Sequence, residues 1–480
     1  MTQHEQLAQL AAAAMRERGL EPEMSREALA QAETTSLTDV PPVPVRDLRA
    51  LPWCSIDNDD SRDLDQLSVS ERLADGRTRV LVAIADVDIA APKASPIDRH
   101  AAVNTTSVYT PARVFPMLPL RLSTDRTSLN ANEDRRALVT AFVVAPDGSV
   151  EQGEVYGALV RNRAHLVYDD IDAYLGGRGP LPDEARTPEM RAQLEEQDLV
   201  AQALSGRRHE LGALDFDLAE TRVRFVGDAL TLTAEGTNRA RSLIQNLMIA
   251  ANGVVARFLD AHGSPSIRRV VQAPARWDRI ATIAAGLGTT LPSTPDSPAL
   301  AAFLRARRRA DPRDYAELSQ SIIKLIGAGE YRVDTPDTDA PGHFALAVKD
   351  YAHSTAPNRR YSDLLTQRLL RAVLGGAPSP YSVDELTHLA YLCTRREDDA
   401  NRVERQVRKS AAAMLVADRV GQQFEAVVTG ASPKGTYVRT LTPHIEGRVV
   451  RGEHGLDVGD RVTVHLASVD VPRGFIDFVV

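Results

Sequence analysis

Five aspartates fall within nine residues, Asp57, Asp59, Asp60, Asp63 and Asp65, directly after the apolar approach Leu51-Pro-Trp-Cys-Ser-Ile56. Several carboxylates converging from one tight loop are what a hard divalent cation such as Mg2+ requires, and Mn2+ could take its place. Far downstream, Tyr351-Ala-His-Ser-Thr-Ala-Pro-Asn-Arg-Arg-Tyr361 sets two guanidiniums beside a proline and aromatics. Carboxylate-bound metal facing a fixed arginine is equipment for phosphodiester cleavage. Asp57, Asp63 and Asp65 are the expected ligands, from a loop folded back on itself, with Asp59 and Asp60 as solvent-facing turn formers. Arg359 and Arg360 lie where a loop runs into a helix starting near Tyr361, whose first backbone amides already favour phosphate. One arginine is expected to face substrate and the other to be structural; spacing does not say which.

Other readings of the acidic loop stay open on sequence. A solvated acidic turn explains the charge but not its place after a buried-looking strand. A structural magnesium site needs no substrate. An EF-hand starting at Asp57 would need glycine at its sixth position and glutamate at its twelfth; Arg62 and Ser68 stand there. The arginine pair has its own plain alternative, a surface pair bridged to carboxylates.

The elements that must position these residues are then sought along the chain. At 480 residues, two or three domains are expected, and 43% hydrophobic with 25% charged content is ordinary for a soluble protein. No apolar run approaches the roughly 20 residues of a membrane span, and the N-terminus offers no apolar signal core. Cys54 and Cys393 are the only cysteines, too few for a disulfide framework or a cysteine zinc site. A cytoplasmic location, no membrane partner and a monomer are the expectations. The net charge of −8 argues mildly against duplex binding but leaves room for a local basic channel. Arginine outnumbers lysine about ten to one, which a GC-rich genome explains without any RNA.

Residues 1–45 read as a small helical region, with Leu7, Leu10, Ala11 and Ala14 at helical spacing and a second run from Arg26 to Ala32, followed by the stiff linker Val40-Pro-Pro-Val-Pro-Val45. A helix-turn-helix and an amphipathic cap on the next domain fit this region equally. From Leu51 to about Val150 strands dominate, including Arg79–Asp86 and Leu138–Val144; residues 160–330 are expected to be chiefly helical, with Arg239–Ala261 and Arg313–Ala328 as long helices, and 361–420 to continue so. The last 60 residues carry five short strands between Gly, Pro and Asp turns, which suggests an OB-type barrel. The fold class is α+β: helical 1–45, a mixed domain 46–420 and a barrel 421–480.

Together these segments resemble the ribonuclease II/ribonuclease R (RNB) family of 3′-to-5′ exoribonucleases. Its first motif, Thr/Ser-Ile-Asp with further aspartates at +6, +8 and +9, is matched by Ser55-Ile56-Asp57, Asp63 and Asp65; its later motif is matched from Tyr351 through Leu364. Ile84-Ala-Asp86, Thr106-Ser-Val-Tyr-Thr-Pro111, Pro116-Met-Leu-Pro119, Ser128-Leu-Asn130, His343-Phe344 and Glu404-Arg405 agree in order and spacing. The resemblance covers roughly residues 50–410 and implies that Asp57, Asp63 and Asp65 hold metal. It further implies that Arg359 or Arg360 stabilises the transition state, that Tyr109 stacks on a base beside the scissile phosphate, and that Glu404 lies near the RNA channel. The barrel is similar to the family's RNA-binding S1 module.

Several positions depart. Gln66 stands where the family has its fourth aspartate, so an amide oxygen replaces a charged ligand and one metal should bind more weakly. Gln245-Asn246 replaces Glu-Glu before Met248, and Gln367 replaces a histidine. The 45 mostly helical leading residues cannot hold the cold-shock barrels usual in the family. The expectation is a magnesium-dependent hydrolase with a two-metal-type mechanism that threads the 3′ end of single-stranded RNA and releases nucleoside 5′-monophosphates, with no nucleotide cofactor. The rival is a catalytically impaired RNA-binding factor of the same family.

Overall fold

The computed structural model describes residues 2–37, 43–151, 153–216, 220–226, 229–235, 238–312, 315–338, 340–432 and 435–480. Two helices lead, α1 (Gln3–Glu17) and α2 (Arg26–Thr34). A capping box starts α1: Thr2 accepts from the Glu5 amide while the Glu5 side chain reaches back to the Thr2 amide. The proposed linker's Val40, Pro41 and Pro42 lie outside the described residues.

Strands β1 (Val45–Asp47), β2 (Cys54–Asp57), β3 (Gln66–Arg72) and β4 (Thr78–Ala85) precede helix α3 (Pro96–Asn104) and the small hairpin β5 (Val108–Tyr109) and β6 (Val114–Phe115). Next come β7 (Asp134–Val144), β8 (Glu154–Arg161), β9 (Ala164–Val167), α4 (Tyr168–Leu175) and α5 (Pro188–Glu210). Seven of these strands form one sheet in the order β1-β8-β7-β4-β3-β2-β9, parallel at its two outer pairs and antiparallel elsewhere. Its centre is buried on both faces, so β4 and β7 read as apolar runs rather than alternating strands.

Residues 160–330 are not chiefly helical throughout. A hairpin, β10 (Glu220–Val226) and β11 (Ala229–Glu235), precedes α6 (Arg239–Ala261); β12 (Ser266–Val270) later pairs with β13 (Glu330–Asp334) around α7 (Trp277–Gly286), α8 (Ser297–Ala310) and α9 (Tyr315–Ile326). Of the expected helix 313–328, residues 313 and 314 lie outside the described residues, and α9 ends at Ile326. Helix α6 is long and apolar enough to cross a membrane by composition, contrary to the expectation that no run is. Its apolar faces are instead buried in a protein core: Leu243, Leu247 and Val254 pack with Val80, Val82 and Phe142 of the sheet. Gly153 sits where that helix presses closest, since a Cβ there would lie 2.5 Å from Val254 Cγ1 and 2.9 Å from the Ala141 carbonyl.

The other face of the sheet is covered by α10 (Tyr361–Leu374), whose Leu364, Leu365 and Leu369 join Leu67, Leu81 and Ala83 in one core. Helix α11 (Val383–Val416) then runs 34 residues. Ala400, Val403, Val407 and Met414 of α11 take up the Leu7, Ala11, Ala14 and Met15 stripe of α1, so the leading helices cap the larger unit. Its final turn enters the core of a closed barrel of β14 (Gln423–Ser432), β15 (Gly435–Thr440), β16 (Glu446–Arg451), β17 (Arg461–Asp470) and β18 (Phe475–Val479). These are the five strands read from the sequence.

Candidate active site

The acidic loop connects β2 to β3, which is why its two ends lie side by side. Asp57 closes β2 and Asp65 immediately precedes β3. Between them the chain is pinned by Leu64, which is buried, donates its amide to Ser128 Oγ at 3.0 Å and accepts from the Leu129 amide at 2.9 Å. With Leu64 turned inward, Asp63 and Asp65 flank it on the cleft side, while Asp59 and Asp60 are exposed, as expected of turn formers. Asp65 itself is 2% exposed and accepts the Asn358 amide at 3.0 Å on Oδ1.

That bond ties the acidic loop to the arginine segment. Arg359 Nε lies 3.3 Å from Asp65 Oδ2. Arg360 is the N-cap of α10 and makes a fork with Asp363, Nε to Oδ2 at 2.9 Å and Nη2 to Oδ1 at 2.7 Å; Asp363 also accepts the Ala356 amide at 2.8 Å. The structure thus separates two arginines that sequence leaves equivalent: Arg359 faces the carboxylates and Arg360 is locked to its own helix. Residues 105–109 zip onto the same segment, through Ser107 N to Arg359 O at 3.0 Å and Tyr361 N to Thr105 O at 2.8 Å. This carries Tyr109 to the cleft, where its hydroxyl donates to Asp63 Oδ2 at 3.1 Å. Glu404 of α11 accepts the Tyr109 amide at 2.8 Å, so it holds the tyrosine's backbone.

The cleft these groups line encloses about 390 Å3, within the range of small-molecule sites. Its electrostatics are unbalanced at the bottom. One oxygen each of Asp57 and Asp65, Oδ2 in both, is buried with no hydrogen-bond donor. Burial pushes Asp57 up to about 7, reinforced by Asp65 and Asp63 and opposed by Arg359. Burial likewise pushes Asp65 up to about 7, against the pull of Arg359. Buried carboxylate oxygens normally find hydrogen-bond donors; Asp57 Oδ2 has none and Asp65 Oδ2 has only the Arg359 ion pair, and two such oxygens facing one cleft fit a cation. The four expected ligands do not close a cage by themselves. Asp63 is engaged by Tyr109, Gln66 Nε2 is 3.5 Å from Asp57 Oδ1, and no group of three or more His, Cys, Asp or Glu among the described residues stands ready to hold a metal.

A match to the RNB domain model spans residues 45–376, and a match to the RNase II-type exonuclease C-terminal S1 domain spans 422–480. The chain belongs to the ribonuclease II/ribonuclease R family. It is 30% identical over 476 residues to ribonuclease R of Escherichia coli K12, covering 90% of this chain and 57% of that one. With exoribonuclease 2 of E. coli O127:H6 the identity is 30% over 408 residues, covering 82% and 61%. The chain therefore spans less than two thirds of the length of these relatives. In fold it is similar to Mycoplasma genitalium RNase R in complex with ribose methylated single-stranded RNA, with a TM-score of 0.87, 22% identity, and 98% of this chain and 77% of that chain covered.

Within this RNB-family site, the structure draws together Asp57, Asp63, Asp65, Gln66, Tyr109, Arg359 and Arg360 around one cleft. Glu404 touches it through Tyr109. Among the residues that depart from the family pattern, Gln245 lines the cleft, whereas Asn246 faces away and accepts from Arg208. Gln367 is buried and bridges the end of β4, donating to Ala85 O and accepting the Val87 amide. The Ala85 amide in turn donates to Asp65 O at 2.9 Å, so Gln367 braces the strand that carries the site. Two lining residues had no sequence signal: Tyr168, the first residue of α4, and Arg241, in the first turn of α6. A larger cavity of about 570 Å3 lies at the far end of β3, around Val69, Leu81 and Tyr156, with Arg46, Arg72, Arg79, Glu189 and Glu196 also in its lining. A third, of about 500 Å3, separates α11 from the barrel and is lined by Arg405, Arg408, Lys409, Arg439 and Arg448 beside exposed Tyr437 and Phe475.

Proposed function

We propose that this chain is a divalent-metal-dependent, hydrolytic 3′-to-5′ exoribonuclease acting on single-stranded RNA and releasing nucleoside 5′-monophosphates. The observation that carries the reading is the pair of buried oxygens without a hydrogen-bond donor, Asp57 Oδ2 and Asp65 Oδ2, the latter 3.3 Å from the Arg359 guanidinium. Asp57 and Asp65 would hold Mg2+, with Asp63 and Gln66 completing the donor set. Bound there, the ion supplies an activated water and polarises the scissile phosphate.

The rest of the chemistry falls to the protein. Arg359 reaches into the cleft with 46% of its side chain accessible, and its forked donors suit the charge that develops on the phosphate oxygens. Arg360, fixed by Asp363, keeps the arginine segment in register. Tyr109 offers a ring face to a base, a contact indifferent to sequence. The basic and aromatic groove between α11 and the barrel suits a single strand on its way in, and relatives named ribonuclease R and exoribonuclease 2 point the same way.

The test is 5′-labelled single-stranded RNA incubated with Mg2+, with EDTA, and with Asp65→Asn. A ladder of shortening products in the first lane alone is expected. RNA bound but uncut in Mg2+ would overturn the reading in favour of an RNA-binding factor.

A further inference from the structure

Arg241 is a cleft-lining cation whose chemistry the proposed reaction has not used. It stands in the first turn of α6, its guanidinium 4.8 Å above the Tyr168 ring and its Nη2 2.8 Å from Asn58 Oδ1. Asn58 follows Asp57 directly, so the arginine is anchored one residue from a buried carboxylate. The mounting is rigid. The α4 and α6 starts are stapled by Asn238 Nδ2 to Asp169 Oδ1 at 3.1 Å and by the Arg239 amide to Asp172 Oδ1 at 2.6 Å, and Arg239 also pairs with Asp198 of α5 at 2.6 Å. Two links to α4 and one to α5 fix the start of α6, which carries Arg241.

Its aromatic neighbour is Tyr168, not Tyr109. Tyr109 is bonded to Asp63, while Tyr168 lies next to Asp57, Arg359 and Arg241 in the field of the site. The two tyrosines thus neighbour different carboxylates of the cleft, with Arg359 near both. At Tyr168 one ring face carries the guanidinium. A planar guanidinium held over a ring presents its donors edge-on, the geometry that matches two oxygens of one phosphate. In a partly buried setting, attraction of a guanidinium for an anion is less screened than in water.

Resting on the proposed RNA-cleaving function, we infer that Arg241 binds a backbone phosphate of the RNA on the Asp57 side of the scissile linkage, with Tyr168 and Asn58 fixing its guanidinium. It is a substrate-contacting residue and moves no proton.

The experiment measures equilibrium binding of a labelled oligoadenylate to the full chain in EDTA, where nothing is cut, across a salt series. Arg241→Ala is expected to weaken binding about tenfold, as for a lost charge-assisted contact, and to reduce the slope of log affinity against log salt by ~0.7, one phosphate's worth for a single strand. Arg241→Lys keeps the charge and should restore the slope but not all of the affinity. In Mg2+, Arg241→Ala should raise KM with kcat nearly unchanged, the pattern of lost uniform binding. An alanine variant with unchanged affinity and slope overturns the inference. So does a lysine variant as defective as the alanine one, because the residue would then act only by bracing Tyr168 and Asn58. Failure of the unsubstituted chain to bind RNA at all would overturn the proposed function itself.

Discussion

Arg359 and Arg360 are neighbours in sequence with opposite duties in space: Arg359 Nε approaches Asp65 Oδ2 at 3.3 Å, whereas Arg360 forks onto Asp363, which is fully buried. Removing each should therefore fail differently. Arg359→Ala should lower kcat by roughly 10^2–10^3, the usual loss for one donor to a developing oxyanion, with little change in Tm. Arg360→Ala leaves the Asp363 carboxylate buried without its cation, which costs on the order of 3–5 kcal/mol, so its thermal melt should fall by many degrees. Kinetics and melting curves on the two variants decide it, and equal melts with equal kcat losses would refute the division.

The two raised carboxylates give the metal-free protein a stability that depends on pH. Asp57 and Asp65 rise from 3.8 to about 7 on folding, so between about pH 4 and 7 the folded chain holds protons that the unfolded chain has released. Stability from these groups is present below about pH 4 and is lost as pH climbs to about 7. A divalent cation needs the ionised carboxylates. Its stabilising effect should therefore be small at pH 5 and larger at pH 8, by a few degrees in Tm. Melts with Mg2+ or EDTA at both values measure it, and the difference should vanish in an Asp57→Asn, Asp65→Asn double variant.

Gln66 is 6% exposed and sits 3.5 Å from Asp57. Gln66→Asp adds a third buried negative charge to two already resisting ionisation. The variant should bind Mg2+ more tightly, by titration calorimetry, while melting lower than the parent in EDTA. Tighter binding without a lower metal-free melt would mean that the new carboxylate points away from the pair.

How much of this was legible in the sequence depends on how local the information is. The acidic loop was readable because its carboxylates lie within nine residues, and the barrel because five alternating runs are separated by turn residues. The distinction between Arg359 and Arg360 was written one helical turn away, in Asp363 at i+3 of Arg360, where a helix-capping arginine finds a partner. Tyr168 and Arg241 gave no signal, since each is the ordinary start of a helix and they meet only through the α4–α6 staples. The β10–β11 hairpin falls in a stretch expected to be chiefly helical, although Glu220–Val226 and Ala229–Glu235 alternate. Short strands between long helical stretches lose to their surroundings when windows are wide.

The stacking contact can be separated from the metal contact at Tyr109, because its ring and its hydroxyl do different things. The hydroxyl donates to Asp63 and the backbone is held by Glu404, while the ring is 40% exposed in the cleft. Tyr109→Phe keeps the ring and should cost less than threefold in kcat/KM. Tyr109→Ala removes a stack worth about 1–3 kcal/mol and should raise KM and lengthen the shortest product, because the last nucleotides lose their grip first. Glu404→Gln keeps an acceptor for the Tyr109 amide and should behave like the parent, whereas Glu404→Ala should shift product length in the direction of Tyr109→Ala but less far. End-product sizing on a denaturing gel reads all four variants. If Tyr109→Phe were as defective as Tyr109→Ala, the hydroxyl's bond to Asp63 would be the working contact, and the ring would have no stacking role.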